Sequence, residues 1–467
     1  MGAPELLAVL MVAAVCVLLF AGYPVALTLG GVSLAFGLVG SVIGAMDFFI
    51  LGALPQRIFG IMTNEVLVAV PLFIFMGVML ERSQIAEDLL ETMGRLFRSL
   101  PGGLSISVVL VGVLLAAAKG VVGATTVTIG LIMLPTMLRH GYDPRLAAGT
   151  VAATSTLAQI FPPATVLVLL GDQMSNAYQA AQLAQGIFAP QSLTVSDLFA
   201  GAIIPAFALV ALYLLYLVGV AVFRPAACPA LPPDKAAARG AALLTRIAKV
   251  LIAPILLILA VLGSIFAGVA TPTEAASVGA VGTILLAAIK LDRAGFFRVF
   301  VPVMTRTTQV TSMIFVILIG ATMFSLVFRA LGGDDMVQRA LTNLPGGTGG
   351  AILLVMIGVF LLGFVMDAFE IIFVVVPIVA PALLKMPAVD PVWLAMMLAI
   401  NLQTSYMHPP LGPTLFFLRA VAPPEITTAH IYVGIIPFVL IQLCALVVLW
   451  FAPELATWLP HKLYGGM

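Results

Sequence analysis

The sequence predicts an all-α membrane protein with many crossings, built from two inverted-topology repeats that each contain a re-entrant hairpin and a broken helix. Three observations carry this prediction. Hydrophobic residues make up 62% of the 467 residues and charged residues only 9%, against roughly 25% charged residues in soluble domains. Apolar runs of about 20 residues, long enough to span a bilayer, recur from end to end. The same order of apolar runs and Pro–Pro pairs then occurs twice.

The composition also limits the classes of function. A net charge of +1 gives no reason to expect a nucleic-acid partner. The cysteines Cys16, Cys228 and Cys444 are too scattered for a metal site or a disulfide framework. The N-terminal stretch MGAPELLAVLM carries Glu5 and no Lys or Arg, whereas a cleaved signal peptide begins with a basic region. It is therefore predicted to be a retained first span in a lipid bilayer.

The first repeat is predicted to cover residues 1–223. Its first three spans lie at about 5–21, 24–45 and 64–80. The segment 81–103 then places Ile85, Leu89, Met93 and Leu96 at helical spacing. This pattern indicates either an amphipathic helix on the membrane surface or a solvated connector helix.

The end of this repeat contains the features that interrupt a membrane helix. An apolar pair at about 104–139 is joined by AKGVVGATT, and each arm is short for a full span, as in a re-entrant hairpin. The next span, 145–171, contains Pro162–Pro163. Proline lacks an N–H and clashes with the preceding turn, so this pair breaks the helix. A long span at 196–223 follows.

A proline-rich and basic segment, 224–246, is predicted to be a cytoplasmic linker, and the second repeat, 247–467, has the same order. Its spans lie at about 247–268, 273–290 and 305–328, its hairpin at about 351–385, its broken helix at 391–420 and its last span at 430–452. Asp143–Pro144 recurs at Asp390–Pro391, and Pro162–Pro163 recurs at Pro409–Pro410, both 247 residues later. This spacing indicates an internal duplication.

Each repeat contributes five crossings, because a hairpin returns to its own side. Five is odd, so the second repeat must be inverted relative to the first. Lys and Arg are enriched in cytoplasmic loops, and their distribution orients the chain. The side opposite the N-terminus receives fourteen of the 21 basic residues: Arg82, Arg95, Arg98, Arg139, Arg145, Arg224, Lys235, Arg239, Arg246, Lys249, Lys290, Arg293, Arg298 and Arg419. The N-terminal side receives five: Arg57, Arg329, Arg339, Lys385 and Lys462. The termini are therefore predicted to be periplasmic.

Inverted repeats with discontinuous helices near the middle of the membrane are the architecture of secondary transporters. The freed carbonyls and hydroxyls at such breaks suit a hard cation such as Na⁺, and helix N-termini attract an anion. No covalent cofactor is implied. The predicted ion-binding residues are Gly123, Thr125, Thr126, Thr154, Ser155, Thr156, Gly363, Asp367, Asn401, Gln403 and Thr404. The predicted substrate path is formed by Pro162, Pro163, His408, Pro409 and Pro410.

The candidates differ in how specific their chemistry is. Asp367 carries the strongest signal, because an acid inside an apolar hairpin is costly unless it has a function. Glu370 either shares a cation with Asp367 or faces water. Thr125 and Thr126 are either ligands or bond their own helix carbonyls. His408 either lines the substrate path or is a structural hydrogen-bonding residue. Lys119 either attracts anions or extends to the membrane interface.

At these residues the sequence resembles the large membrane subunit of tripartite ATP-independent periplasmic (TRAP) transporters. The matching stretches are GVVGATTVTIGLIMLPTMLRHGYDPRLAAGT, IFPP, MDAFEIIFVVVPIVAP and the second Pro–Pro break, and the similarity covers essentially the whole chain. The stretches LGDQMSNAYQAAQ and LRAVAPPEITTAHIY are similar to the subgroup labelled mannitol/chloroaromatic, which implies small organic acids, including 2-oxo acids, as substrates.

The resemblance implies an elevator mechanism in an architecture like that of the ion-transporter superfamily, driven by Na⁺ and located in the bacterial inner membrane. It also implies two partners, a small four-helix membrane subunit and a periplasmic substrate-binding protein. The protein is thus predicted to be a transporter and not an enzyme. The alternatives are a divalent-anion/Na⁺ symporter that needs no binding protein, a channel, or an intramembrane enzyme. The enzyme has little support, because the four histidines are scattered and no H-E-x-x-H motif occurs.

Overall fold

The computed structural model of the chain describes residues 2–119, 122–230, 241–364, 366–410 and 412–465, without the side chains of residues 86, 118, 119 and 241–250. All regular structure in these ranges is helical, which confirms the all-α class. Seven of the described helices are long and apolar enough to cross a membrane, and a bent pair adds an eighth span. This count leaves out the predicted spans that are broken into two helices or that form helices too short to cross a membrane alone.

The first half contains ten α-helices, and three-ten turns follow the second and the eighth. The helices are α1 Ala3–Phe20, α2 Val25–Val42, α3 Leu54–Met62, α4 Glu65–Arg82, α5 Ile85–Phe97, α6 Gly103–Lys119, α7 Val122–Arg139, α8 Pro144–Thr156, α9 Thr165–Ala184 and α10 Val195–Phe223. The predicted hairpin is the pair α6–α7. The predicted broken helix is the pair α8–α9, whose second arm runs past the predicted end at 171.

The second half contains eleven described α-helices. They are α11 Ala241–Phe266, α12 Pro272–Lys290, α13 Arg293–Ala330, α14 Gly333–Thr342, α15 Gly347–Leu362, α16 Ala368–Val374, α17 Val376–Leu384, α18 Pro391–Ser405, α19 Pro413–Val421, α20 Thr428–Phe451 and α21 Glu454–Tyr464. The second hairpin is α15 followed by α16–α17, and the second broken helix is α18–α19. Helix α11 begins inside the predicted linker, of which residues 231–240 lie outside the described residues.

The duplication is visible at the level of hydrogen bonds. Asp143 and Asp390 are the N-caps of α8 and α18, and each accepts a backbone N–H at the start of its helix. The sequence Leu-Pro-Gly-Gly precedes each hairpin, at 100–103 and 344–347. Its first glycine has a φ of +75° at Gly102 and +98° at Gly346, a left-handed conformation that suits glycine. The two halves thus share the same helix N-cap and the same left-handed glycine at equivalent positions.

The two hairpins open toward opposite ends of the molecule. A three-ten turn, Pro225–Ala227, follows α10. The Ala227 carbonyl accepts the N–H of Asp143 just after α7, and the next carbonyl, of Cys228, accepts the N–H of Gly102 at the base of α6, both at 2.8 Å. Both ends of the first hairpin therefore meet where α10 ends. The second hairpin begins and ends against α14, where Lys385 donates to Gln338 at 2.8 Å. Arg339 of α14 pairs with Glu5 at the start of α1.

The helices form two groups in contact. Helices α1–α4 pack with α11–α13, and the hairpins and broken helices pack with α10 and α20. Helices α4 and α13 face the second group through α6, α9 and α16. The site described below lies along this boundary.

Three described α-helices are absent from the sequence-based prediction. Helix α3 lies before α4 at a bend of 53°, helix α14 follows α13 as α5 follows α4, and α21 packs beside α10. Helices α3, α14 and α21 are 9 to 11 residues long, so their apolar runs are too short to register as membrane spans. Helix α5 buries Leu89, Leu90 and Met93.

Candidate functional site

A cavity of about 1130 Å³ lies between the two groups of helices. Gly123 of the first hairpin and Asp367 of the second line it, together with residues on both sides of the helix breaks. The opposite wall comes from the C-terminal end of α4 and from residues 301–313 of α13. The cavity therefore unites the two hairpins and the two breaks that the sequence places far apart.

The charged residues that line this cavity, among the described residues, are two acids and two arginines. Arg82 lies at the end of α4 and Arg306 on α13, and both are exposed. Glu81 accepts a hydrogen bond from the Thr128 hydroxyl at 3.0 Å. An apolar cavity wall with a few charged groups is typical of small-molecule sites. The formal charges of the cavity balance, but both acids are hydrogen-bonded within the protein. The exposed guanidinium groups of the two arginines are therefore the charged groups suited to bind a carboxylate.

Asp367 lies at the tip of the second hairpin, as the N-cap of α16. Its carboxylate accepts a hydrogen bond from the Tyr406 hydroxyl, which belongs to the second helix break. Its backbone N–H donates to Glu370 at 2.9 Å. The bond to Glu370 thus caps α16, and the bond from Tyr406 joins the hairpin tip to the break.

Glu370 does not face water, which corrects one of the two interpretations of this residue. Its side chain is only 8% exposed, and its carboxylate accepts a hydrogen bond from the backbone N–H of Asp367. The acid is therefore part of the cap of α16. It does not line the cavity.

The two breaks touch each other through residues that are equivalent in the duplication. The Gln403 amide donates to the Thr156 hydroxyl at 3.3 Å, and the two residues are 247 positions apart. A residue that contacts its own equivalent lies beside the pseudo-twofold axis of the repeat. Thr156 also donates to the Ala153 carbonyl at 2.9 Å.

Most of the predicted hydroxyl ligands bond the carbonyls of their own helices. Thr126, Ser155 and Thr404 each donate to a carbonyl four residues earlier. Thr154 is buried, and its hydroxyl has no partner among the described residues. Thr125 is also buried. A hydroxyl that donates still has lone pairs for a cation, so these contacts leave the oxygens available as acceptors.

Two further predicted ion-binding residues, Asn401 and Gly363, do not line the cavity. Asn401 is buried and donates to the Met356 carbonyl of α15 at 2.7 Å. A Cβ at Gly363 would lie 2.2 Å from the Cβ of Ser405. Only glycine therefore allows the end of the second hairpin to approach the second break this closely.

The predicted substrate path lies largely apart from this cavity. His408 is buried, its Nε2 lies 3.1 Å from the Phe360 carbonyl, and its ring stacks on Phe364 at 3.8 Å. The four prolines of the breaks do not line the cavity, whereas Pro413 does. The side chain of Lys119 lies outside the described residues.

Of the described residues that line the cavity, only Gly123 and Asp367 are in the predicted set, and the polar residues missed include Arg82, Gln159, Arg306 and Tyr406. Gln159 and Tyr406 are related by the same spacing of 247 residues as the Pro–Pro pairs. Arg306 stands in the polar stretch TRTTQ, 305–309, within α13. Applying the repeat spacing to every polar residue near the breaks would have found the first pair.

A second cavity, of about 350 Å³, lies at the other ends of α4 and α13. Arg57 and Arg329 line it, and Asn64 at the start of α4 donates to Asp172 of α9 at 2.8 Å. The two cavities thus occupy opposite ends of the boundary between the helix groups. The smaller one is bridged by a hydrogen bond between those groups.

Opposed hairpins, two discontinuous helices and a cavity with a few charged groups between two helix groups define a secondary-transporter architecture. Residues 12–455 match the model of the family described as "Tripartite ATP-independent periplasmic transporter, DctM component". The chain belongs to this family of large TRAP transporter permease subunits.

Relatives agree with this assignment, and a solved structure has a similar fold. The chain is 26% identical to the C4-dicarboxylate TRAP transporter large permease protein DctM of Vibrio cholerae, over 96% of each chain. It is 24% identical to the 2,3-diketo-L-gulonate TRAP transporter large permease protein YiaN of Escherichia coli, over 93% of this chain and 94% of the relative. The fold is similar to that of the Alcanivorax borkumensis YdaH transporter, with a TM-score of 0.60 over 100% of both chains at 16% identity. The chain is thus a multi-pass inner-membrane permease.

Proposed function

We propose that the chain imports a small organic anion, a carboxylate or 2-oxo acid, by Na⁺-coupled elevator movement of the helix group that carries the hairpins and breaks. The cavity between the hairpin tips carries this proposal, because Arg82 and Arg306 offer guanidinium groups that can bind carboxylates in a largely apolar wall. The names of the relatives from V. cholerae and E. coli, for C4-dicarboxylates and 2,3-diketo-L-gulonate, support an organic anion.

The chemistry of the buried oxygens supports Na⁺ as the coupling ion. Groups of three or more His, Cys, Asp or Glu side chains, which a transition metal would need, are absent from the described residues. Neutral oxygens are present instead at both breaks. Two of them, Thr154 Oγ1 and Gln403 Oε1, are buried without a hydrogen-bond partner among the described residues. Hard cations prefer such oxygen ligands.

Two cavities of unequal size at opposite ends of α4 and α13 support the elevator component. Movement of the second helix group along α4 and α13 would open one cavity and close the other. The Asn64–Asp172 hydrogen bond joins the two groups and would have to break in that movement.

The family implies a small membrane subunit and a periplasmic binding protein, and we propose that the small subunit has four helices. We also propose that both termini are periplasmic and that the subgroup is the one labelled mannitol/chloroaromatic. The binding protein distinguishes this proposal from the alternative of a divalent-anion/Na⁺ symporter that takes substrate directly from solution.

Uptake into proteoliposomes tests the proposal. The permease is reconstituted with its small subunit, and uptake of radiolabelled C3 and C4 carboxylates is measured with NaCl or choline chloride outside, with and without the binding protein. We expect saturable uptake that requires both Na⁺ and the binding protein. Uptake unchanged in choline and driven by a pH gradient would exclude Na⁺ coupling, and uptake without the binding protein would favour the symporter.

A further inference from the structure

Gln159 carries a buried amide that forms no hydrogen bond within the described part of the chain. It lies on the three-ten turn 157–159, directly before the first break, and is 1% exposed. Neither its Nε2 nor its Oε1 has a partner among the described residues, although the side chain lines the large cavity. A buried polar group left unpaired costs roughly 1–3 kcal/mol. An amide in this position therefore has binding capacity that the protein itself does not use.

The duplication provides an internal comparison for this residue. Tyr406 is the equivalent of Gln159 in the second break, and it lines the same cavity. The Tyr406 hydroxyl is occupied, because it donates to Asp367 on the second hairpin. The first hairpin arm, Val122–Arg139, contains no acid. Tyr406 is thus hydrogen-bonded to the second hairpin. Its equivalent Gln159 lines the cavity, and neither of its amide atoms has a partner among the described residues.

The charged groups around the cavity indicate which part of a ligand could hydrogen-bond the Gln159 amide. The Arg82 and Arg306 guanidinium groups can bind the carboxylates of an anion. The two acids of the cavity are instead hydrogen-bonded within the protein. The Gln159 amide is neutral and offers one acceptor and two donor hydrogens. It therefore complements a group that is polar but uncharged, such as a hydroxyl or an oxo group on the carbon next to a carboxylate.

We propose that Gln159 is a specificity-determining residue that hydrogen-bonds the hydroxyl or oxo group of the transported organic acid. This inference rests on the proposed function and refines its substrate class. It predicts that the permease prefers 2-hydroxy or 2-oxo acids over otherwise identical acids that lack this oxygen. A site built to bond a substrate oxygen rejects the analogue without it, because the amide is then left unpaired.

The test uses two matched series of acids, propionate, lactate and pyruvate, and succinate, malate and oxaloacetate. Binding to the purified permease with its small subunit is measured by calorimetry, and uptake is measured in proteoliposomes. We expect wild type to favour the oxygenated members of the series that it accepts. Gln159→Leu should weaken their binding by about tenfold and leave the unsubstituted acid unchanged. An unchanged preference in Gln159→Leu would overturn the inference.

Thermal unfolding of the substrate-free protein provides a second, independent measurement. Replacing an unpaired amide by an apolar side chain should leave the substrate-free protein as stable as wild type or more stable. Destabilisation by both Gln159→Leu and Gln159→Met would show that the amide has a structural partner, and this would also overturn the inference.

A matched control separates the site from the general effect of deleting a buried amide. Gln442 is fully buried on α20 and donates to the Tyr213 hydroxyl at 2.8 Å, away from the cavity. Gln442→Leu should lower stability and leave the preference among acids unchanged. If wild type accepts neither series, the proposed substrate class is wrong, and the unfolding measurement still decides whether Gln159 is unpaired.

Discussion

At the scale of single residues, the site depends on pairs that join distant parts of the chain. Asp367 on the second hairpin meets Tyr406 in the second break, and Thr156 in the first break meets Gln403 in the second. Asp367 itself could be singled out from the sequence, because an acid in an apolar segment is conspicuous. Its bond to Tyr406 could not, because no local pattern links residues in different elements.

The first prediction at this scale concerns Asp367. A charged acid at the boundary of two helix groups is tolerated only with a cation or strong donors, since an unpaired buried charge costs several kcal/mol. We expect Asp367→Asn to insert and fold but to lose transport by at least about tenfold, with partial rescue at raised Na⁺. Transport is measured as initial uptake rate against Na⁺ concentration.

Glu370→Gln is the matched variant for this prediction. Glutamine retains an oxygen that accepts the Asp367 N–H, so the cap of α16 persists and the effect on uptake should be mild. An Asp367→Asn protein with the rate and Na⁺ dependence of wild type would show that the acid is structural. The ion site would then be sought among the hydroxyls at 154–156.

At the scale of elements, the two broken helices are held by close contacts to the long helices beside them. Helix α8 crosses α20 where Gly149 meets Gly434, and a Cβ at Gly149 would lie 2.0 Å from the Gly434 carbonyl oxygen. The breaks themselves were predictable, because proline disrupts a helix locally. The crossing of α8 and α20 was not predictable, because it depends on two glycines that are far apart in sequence.

Substitution at this crossing tests its contribution to stability. Gly149→Ala forces α8 and α20 apart, and we expect the free energy of unfolding to fall by about 1–3 kcal/mol. Thermal unfolding in detergent, followed by the loss of the monodisperse peak in size-exclusion chromatography, measures the change. Gly219→Ala on α10 is the control, because no atom lies within 4 Å of its added Cβ. Equal stability of the two variants would contradict tight packing at the crossing.

At the scale of the whole molecule, the duplication was the most informative feature of the sequence. It predicted two hairpins and two breaks, and the structure places both hairpins and both breaks around one cavity. The short helices α3 and α14 were missed because they are amphipathic and lie beside the spans, so they produce no long apolar run. The unpaired amide of Gln159 was missed because its environment is assembled from α4, α13 and both hairpins.

The last prediction concerns the orientation of the chain in the membrane. Arg339 of α14 pairs with Glu5 of α1, and the second hairpin opens at the same end of the molecule. The first hairpin opens at the other end, against the turn that follows α10. Fourteen of the 21 basic residues are assigned to that other end, so it should be cytoplasmic.

Two exposed positions report on the two ends: Asn343, after α14, and Arg293, at the start of α13. In a variant without the three native cysteines, we expect a cysteine at Asn343 to react in intact cells with a thiol reagent that cannot cross the inner membrane. A cysteine at Arg293 should react only after the membrane is opened. The reverse pattern would invert the topology and place the first hairpin on the periplasmic side. The large cavity lies at the ends of α4 and α13 that adjoin Arg82 and Arg293, so the expected pattern would also identify the structure as the state open toward the cytoplasm.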